Sequence, residues 1–305
     1  MKKPNTINTL PDWQADFDQW IKAGTAPSTR RAYDRDIQYF TQWVKTHLTI
    51  EVGWPMPSTP NIVIQFCLYH LADSSPRRLK VSTLRRYLAS VSVAHKEAGF
   101  DSPTTDVQVK LLLKKAKAAR IERPQQKAAI TRDILDAMLA TCDKTLIGVR
   151  DRALLLVAFC SGGRRRSEIA NLTTNDITKT NDGYLITLSK SKTDQEANGF
   201  SVPISGDAAL ALKQWLLKSG IREGKLFRGI KADLTLYPSI TGTSIYKIVK
   251  KRIKLIGLDE RLYGAHSLRA GFITESVNSG KSIYEVMQYS GHRDPETAQS
   301  YIRIK

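Results

Sequence analysis

A histidine and an arginine in the last 40 residues are spaced to bind a phosphate group. They lie in the segment 264–269 (GAHSLR), where His266 and Arg269 are three residues apart and share one face of a predicted helix. Two cationic side chains on one face repel each other, but a bound anion removes that repulsion, and helix N-termini also attract anions. The pair therefore indicates a phosphate-binding site.

An arginine triplet could also bind a phosphate group. It lies in the segment 162–168 (GGRRRSE), directly after the most apolar predicted helix. Arg165 is three residues from Glu168, so the carboxylate can orient its guanidinium. Arg164 and Arg166 are the alternatives, and the spacing to Glu168 selects Arg165. Arginine suits this task better than lysine because it can hold a phosphate by two parallel hydrogen bonds.

Further reactive residues lie in the same half of the chain. Lys190 and Lys192 lie in the turn of a predicted β-hairpin, from which either side chain could reach into a DNA groove. The segment 291–295 (GHRDP) predicts a turn with His292 at its tip, and Tyr301 follows nine residues later.

Helices and one hairpin must position these residues. The apolar run 153–159 predicts a buried helix before the arginine triplet, and alternating apolar residues at 184–188 and 200–204 predict the two hairpin strands. Four further helices are predicted near 207–218, 243–256, 267–279 and 282–290, with a short final one from Pro295. The first 120 residues predict helices with few strand signals. The sequence thus predicts a mainly α (α+β) chain with domains at 1–121 and 131–305, joined by a basic linker at 122–130.

The charge of the chain indicates an anionic partner. The 305 residues include 47 Lys+Arg and 29 Asp+Glu, a net charge of +18 that is spread along the whole sequence. A folded protein with such a basic face is expected to bind double-stranded DNA.

Composition excludes several other classes of protein. With 41% apolar and 25% charged residues, the chain is neither disordered nor fibrous. No apolar run is long enough to cross a membrane, and no apolar segment follows the N-terminal lysines as in a secretory signal. Three scattered cysteines are too few for a disulfide framework or a zinc ribbon. We therefore expect a cytoplasmic protein that associates with the nucleoid.

The order of the reactive residues resembles the tyrosine recombinases of the phage integrase and Cre type. In that family a G-x-R-x-x-E segment is followed by a hairpin lysine, His-x-x-Arg, a Gly before His or Trp, and a tyrosine about nine residues later. The matching residues here are Arg165, Glu168, Lys192, His266, Arg269, His292 and Tyr301. Lys192 is preferred to Lys190 because the segment 191–195 (SKTDQ) is more similar to the family's hairpin.

The resemblance implies a fold and a reaction. The fold would be a helical, SAM-like core-binding domain followed by a mostly helical catalytic domain with a small antiparallel sheet. Tyr301 would attack a DNA phosphodiester and form a 3′-phosphotyrosyl link, with Arg165 and Arg269 holding the phosphate oxygens. His266 and His292 would donate hydrogen bonds or take the phenolic proton, and Lys192 would protonate the leaving oxygen. Glu168 would buttress Arg165 or His266.

The resemblance also implies partners and DNA contacts. No metal, ATP or other cofactor is required, and the protein would act as a homotetramer on duplex DNA with inverted half-sites. The helix at Ser82 would enter a major groove. The basic linker would follow phosphates, with a plain solvated connection as an equal alternative. The residues expected to contact DNA are Ser82, Arg85, Arg86, Arg120, Arg123, Lys127, Thr243 and Ser244. For Thr243 and Ser244, capping of the helix N-terminus is an equal alternative.

Three related functions remain as alternatives. A type IB topoisomerase and a telomere resolvase use a similar residue set, and a decayed recombinase would bind DNA without cutting it. Tyr289 is a weaker alternative nucleophile and is expected to pack in the core. Only four residues follow Tyr301, whereas many relatives continue into a helix that joins neighbouring protomers. We therefore expect another contact between protomers or weaker assembly.

The net charge makes a prediction for binding. The affinity for duplex DNA should fall steeply with salt, with a log–log slope of about −0.9 per phosphate contact, because each contact releases a counterion. Fluorescence anisotropy between about 50 and 200 mM salt measures this slope. An affinity that does not change with salt would contradict an electrostatic interface.

Overall fold

The computed structural model describes residues 13–48, 57–120, 126–188 and 200–303. The chain divides into two compact units, and the boundary between them in the sequence falls between Pro124 and Gln125. Among the residues described, no helix is long and apolar enough to cross a bilayer.

The first unit is helical, as predicted. Its described residues form a short 3₁₀ turn (Pro103–Thr105) and the helices α1 (Trp13–Gly24), α2 (Pro27–His47), α3 (Pro60–Leu71), α4 (Val81–Glu97) and α5 (Val107–Ala119). Aromatic and aliphatic side chains from α2, α3 and α4 form its core, including Phe40, Phe66 and Leu84. Side chains cap two of these helices, since Thr59 accepts from the Ile62 N–H and Asp106 from the Gln108 N–H.

The second unit combines helices with one small sheet. Its described helices are α6 (Arg132–Ala140), α7 (Leu146–Cys160), α8 (Arg166–Asn171), α9 (Gly206–Ser219), α10 (Gly242–Leu255), α11 (Ala265–Asn278), α12 (Ile283–Ser290) and α13 (Pro295–Gln299). The sheet consists of β1 (Ile177–Thr180), β2 (Gly183–Leu188) and β3 (Phe200–Ser205), all antiparallel and in the order β1-β2-β3. The mainly α prediction and the hairpin of β2 and β3 are confirmed.

The sequence did not predict strand β1. Its four residues are Ile-Thr-Lys-Thr, of which only Ile177 is partly buried while the rest are exposed. A short edge strand with one inward side chain gives no alternating pattern, so only its pairing with β2 identifies it.

Helix α7 is the centre of the second unit. Every side chain from Ala153 to Phe159 is buried, because α9 and α11 pack against this helix. A buried ionic group ties α7 to α10. The carboxylate of Asp151 accepts from Arg150, 2.6 Å from Nη2, and from Arg252, 2.7 Å from Nη2. These bonds fix α7, whose end leads directly into the arginine triplet.

The last residues of the predicted linker are part of the second unit. The Ala128 N–H donates to the Leu262 carbonyl and the Ile130 N–H donates to the Ser267 carbonyl, both at 2.9 Å. Ile130 is fully buried. This extended segment therefore packs along the beginning of α11, which sequence reasoning could not detect because the pairing joins residues more than 130 positions apart.

Close packing at this contact requires glycine. A Cβ atom on Gly271 would lie 1.7 Å from the Ile130 carbonyl oxygen. We predict that Gly271→Ala lowers the free energy of unfolding by about 1–3 kcal/mol, because the backbone of the neighbouring segment must shift. Urea denaturation measures the loss. The control is Gly24→Ala, where no atom lies within 4 Å of the added methyl group. Equal stability of Gly271→Ala and the unmodified protein would contradict this packing.

Candidate active site

A glycine turn after α7 brings three elements together. Gly162 and Gly163 have φ angles of +95° and +67°, a conformation that residues with side chains rarely adopt. A Cβ atom on Gly162 would lie 2.0 Å from the Tyr289 carbonyl oxygen, and one on Gly163 would lie 2.4 Å from the Arg269 Cα. The turn thus presses against the end of α12 and the backbone of α11.

The structure separates the three arginines that follow. Arg165 is the residue before α8, and its Nη1 donates to Glu168 Oε1 at 2.8 Å while its backbone N–H donates to Oε2 at 3.2 Å. Glu168 therefore orients the Arg165 guanidinium, as the spacing predicts. Arg164 is buried and Arg166 is exposed.

Arg269 on α11 is almost completely buried. Its Nη1 donates to the Gly163 carbonyl at 3.2 Å and its Nη2 to the Ser290 carbonyl at 2.7 Å. Its Nε lies 3.1 Å from Nε2 of His292. Burial lowers the pKa of Arg269 to about 10, so the side chain remains a cation at neutral pH. Glu168 acts to raise the pKa of Arg269, but the ion pair of this carboxylate is with Arg165, at 2.8 Å.

His292 is held as a neutral ring. A guanidinium can only donate hydrogen bonds, so Nε2 of His292 accepts from Arg269, and Nδ1 forms a hydrogen bond of 2.8 Å with Ser290 Oγ. Burial and the nearby cations Arg269, Arg165 and Arg164 lower the pKa of His292 to about 4. Partial burial, Arg269, Arg165 and Arg166 also lower the pKa of His266.

Tyr301 lies beside these residues. Its ring centroid is 5.2 Å from that of His292 and 6.4 Å from that of His266, and the Arg269 guanidinium carbon is 5.7 Å from it. The segment that carries Tyr301 follows α13 and is tied to α11, because the Arg303 N–H donates to Thr274 Oγ1 at 3.1 Å.

The predicted site residues therefore come together from four places in the second unit. These are the turn before α8, helix α11, the turn after α12 and the residues after α13. Lys192 and its alternative Lys190 lie outside the described residues. Sequence reasoning missed Ser290, which follows Tyr289 and precedes the glycine of the Gly-His motif, because nothing in its type signals a contact with His292. No group of three or more His, Cys, Asp or Glu residues that could hold a metal occurs in the described parts of the chain.

The prediction that Tyr289 packs in the core is wrong. Its side chain is 36% exposed, and Lys281 Nζ lies 5.3 Å from its ring centroid. The inward residues of this helix are Val286 and Ser290, which places Tyr289 on the outer face.

Two arginines expected to contact DNA have partners inside the first unit. Arg86 forms an ion pair with the buried Asp36, although about half of its side chain remains exposed. Arg120 donates to the carbonyls of Leu71 and Leu79 and is only 16% exposed, so these bonds favour a structural role. Ser82 and Arg85 are exposed at the beginning of α4.

The other expected DNA contacts differ in their surroundings. Arg123 lies outside the described residues. Lys127 Nζ donates to the Arg261 carbonyl at 2.5 Å. Thr243 is exposed in the first turn of α10, and the Ser244 N–H donates to Thr241 Oγ1 at 3.0 Å. The cap of α10 is therefore Thr241, and the alternative of capping by Thr243 or Ser244 is wrong. Contact of all these residues with DNA remains a prediction.

Comparison with known proteins gives a family match over the second unit. The model of the Phage integrase family matches residues 128–305. An integrase/recombinase XerD homolog from Selenomonas ruminantium is 29% identical over 293 residues, which cover 92% of this chain and 83% of that protein. A tyrosine recombinase XerD from Listeria innocua is 25% identical, with 93% and 90% covered.

Solved structures with the same fold include two integrases in complex with DNA. The Tn1549 transposon integrase with a circular intermediate DNA has a TM-score of 0.63 at 14% identity, covering 95% of this chain and 94% of that one. A lambda integrase dimer bound to a core site has a TM-score of 0.62 at 14% identity, with 97% and 77% covered. Both likenesses are to the fold.

The low pKa of His292 predicts a pH-dependent stability. Above about pH 6.5, the ordinary value for histidine, the ring is neutral in both the folded and unfolded chain. Between that pH and about 4, the unfolded chain binds a proton that the folded site does not. The free energy of unfolding therefore decreases as the pH is lowered through this range. Urea denaturation at a series of pH values should give a shallower fall for His292→Gln than for the unmodified protein. Parallel curves would contradict the assignment.

Proposed function

The chain belongs to the phage integrase family of tyrosine recombinases, whose members break and rejoin DNA strands, and we propose that it is a site-specific recombinase with Tyr301 as nucleophile. One observation carries the proposal. The phenol ring of Tyr301 lies 5.7 Å from the guanidinium carbon of Arg269, and its centroid is 5.2 Å from that of His292 and 6.4 Å from that of His266.

The proposed step exchanges one phosphate ester for another. The Tyr301 oxygen attacks the phosphorus of a DNA phosphodiester, and the bond between phosphorus and the 5′-oxygen breaks. The products are a 3′-phosphotyrosyl link and a free 5′-hydroxyl. Because the ester bond is conserved, a 5′-hydroxyl from another strand can reverse the step without ATP.

Two arginines stabilise the charge that develops on the phosphate. Arg269 is held rigidly by the carbonyls of Gly163 and Ser290, and Arg165 is held by Glu168. Neither has to reorganise when the five-coordinate phosphate forms, which is the condition under which fixed donors lower a barrier most. We propose that their remaining N–H groups bind the non-bridging oxygens, so that no metal ion is needed.

The two histidines have different parts in this proposal. Both nitrogens of His292 already have partners, Arg269 and Ser290, so His292 orients the Arg269 guanidinium. His266 has a lowered pKa and is neutral at pH 7, so it can accept the phenolic proton of Tyr301. Lys192, which lies outside the described residues, is proposed to protonate the leaving 5′-oxygen.

The partner is proposed to be duplex DNA with inverted half-sites, bound by four copies of the chain in the cytoplasm. Support for DNA comes from the net charge of +18 and from exposed basic residues in both units, such as Arg85 on α4 and Lys247 on α10. A candidate contact between protomers is α1, where Trp20 is 77% exposed. Four copies bound to inverted half-sites would exchange DNA strands two at a time.

A covalent trap tests the nucleophile. A nicked duplex with randomised arms loses the strand that would reverse cleavage, so the 3′-phosphotyrosyl adduct accumulates. We predict that Tyr301→Phe abolishes the adduct and changes the dissociation constant for DNA by less than about twofold, because it removes only one hydroxyl group. The matched control is Tyr289→Phe, which removes an exposed phenol from the neighbouring helix and should leave the adduct in place.

The same trap separates the alternatives. Sequencing of the trapped DNA should reveal an enriched inverted repeat. Adducts without any sequence preference would favour a topoisomerase, and binding without an adduct would favour a DNA-binding protein that has lost its activity. An adduct on Tyr301→Phe would show that the nucleophile is another residue.

A further inference from the structure

Arg164 is a buried cation between two segments of the site. Its side chain is 4% exposed. Nε donates to the Ser161 carbonyl at 2.6 Å, within the glycine turn, and Nη2 donates to the Tyr289 carbonyl at 2.5 Å, in the last turn of α12. The guanidinium therefore bridges the turn before Arg165 and the helix end before His292.

The end of α12 needs such donors. The last carbonyl groups of a helix have no partner within it, and the negative end of the helix dipole favours cations there. Arg164 takes the carbonyl of Tyr289, and Arg269 takes the carbonyl of the next residue, Ser290. Two arginines from different elements thus hold successive carbonyls, directly before the turn that carries His292.

We propose that Arg164 is a positioning residue, which holds the turn 290–292 so that His292 can orient the Arg269 guanidinium toward the phosphate. It does so from inside the protein, without contacting DNA. This inference rests on the proposed function for its effect on cleavage, whereas its effect on the geometry of His292 is independent of any activity.

The charges around His292 agree with this arrangement. The groups that influence its ring are Arg269 on α11, Arg165 before α8, Arg164 in the glycine turn and Asp294 on its own segment. The three arginines lower the pKa of His292, and Asp294 raises it. Arg166 is among the cations that lower the pKa of His266, whereas Arg164 is among those that lower the pKa of His292. We therefore expect exchange of Arg164 to change the surroundings of His292 more than exchange of its neighbour Arg166.

The first experiment measures cleavage and binding separately. In Arg164→Leu, the rate of adduct formation at saturating nicked DNA should fall about 100-fold, since a small misplacement of a reacting group has that effect. The dissociation constant for DNA should stay within about twofold, because Arg164 is buried. Arg164→Lys keeps the charge with a single donor group. Its rate of adduct formation should lie between those of the unmodified protein and Arg164→Leu. A rate equal to that of the unmodified protein, or a loss of affinity that accounts for the slower rate, would overturn the proposal.

The second experiment asks whether Arg164 acts through His292. In a double-mutant cycle, Arg164→Leu should slow His292→Ala no more than about twofold, because the residue it positions is already absent. Independent, multiplicative losses would overturn the proposal. If Arg164→Leu does not fold, the same cycle is made with Arg164→Lys.

The third measurement needs no DNA and therefore distinguishes failure of this inference from failure of the proposed function. Nuclear magnetic resonance of the His292 ring should show a pKa above that of the unmodified protein in Arg164→Leu. Arg166→Leu is the matched control from the same triplet and should leave the pKa of His292 unchanged. An unchanged pKa of His292 in a folded Arg164→Leu would overturn the inferred influence of Arg164 on His292, whether or not the protein cleaves DNA.

Discussion

The site depends on the burial of one guanidinium, that of Arg269, among backbone carbonyls. Carbonyl oxygens satisfy the N–H groups of arginine but do not neutralise its charge, so burial leaves a positive potential that water does not screen. The carbonyls that hold Arg269 come from Gly163 in the glycine turn and from Ser290, the last residue of α12. The position of this cation therefore requires the glycine turn after α7 and the end of α12 to meet on α11.

The charge cluster explains the states of the other groups. Burial, together with repulsion from neighbouring arginines, lowers the pKa of Arg164 and that of Arg269 to about 10 each. Glu168, through its bond to Arg165, offsets only part of this charge. Histidines in such surroundings are neutral, and so they can accept protons or orient donors. Under the proposed function, a DNA phosphodiester would bring the negative charge that this cluster lacks.

The basic residues of the chain do not form one functional class. The resemblance to the recombinases and the basic linker suggested DNA contacts for Arg86 and Arg120. In the structure, Arg86 pairs with a buried aspartate and Arg120 donates to two carbonyls. In the second unit, Arg150 and Arg252 share a buried carboxylate. Arginine has five donors and a long apolar stem, so it can join backbone segments as readily as it binds phosphate. A count of positive charges therefore predicts a partner but not the residues that contact it.

The sequence by itself determined the mainly α fold, the hairpin of β2 and β3, and the candidate set of Arg165, Glu168, His266, Arg269, His292 and Tyr301. The fold elements follow from local periodicity, and the candidate set follows from short spacings together with the resemblance to the tyrosine recombinases, all of which depend only on the order of residues along the chain. Tertiary structure alone decided which arginine of the triplet is buried, that Ser290 contacts His292, that Tyr289 is exposed and that residues 128–130 pack against α11. Each of these depends on segments far apart in sequence that meet at specific backbone groups. Residue types alone do not indicate which distant backbone segments pack against each other in the folded chain.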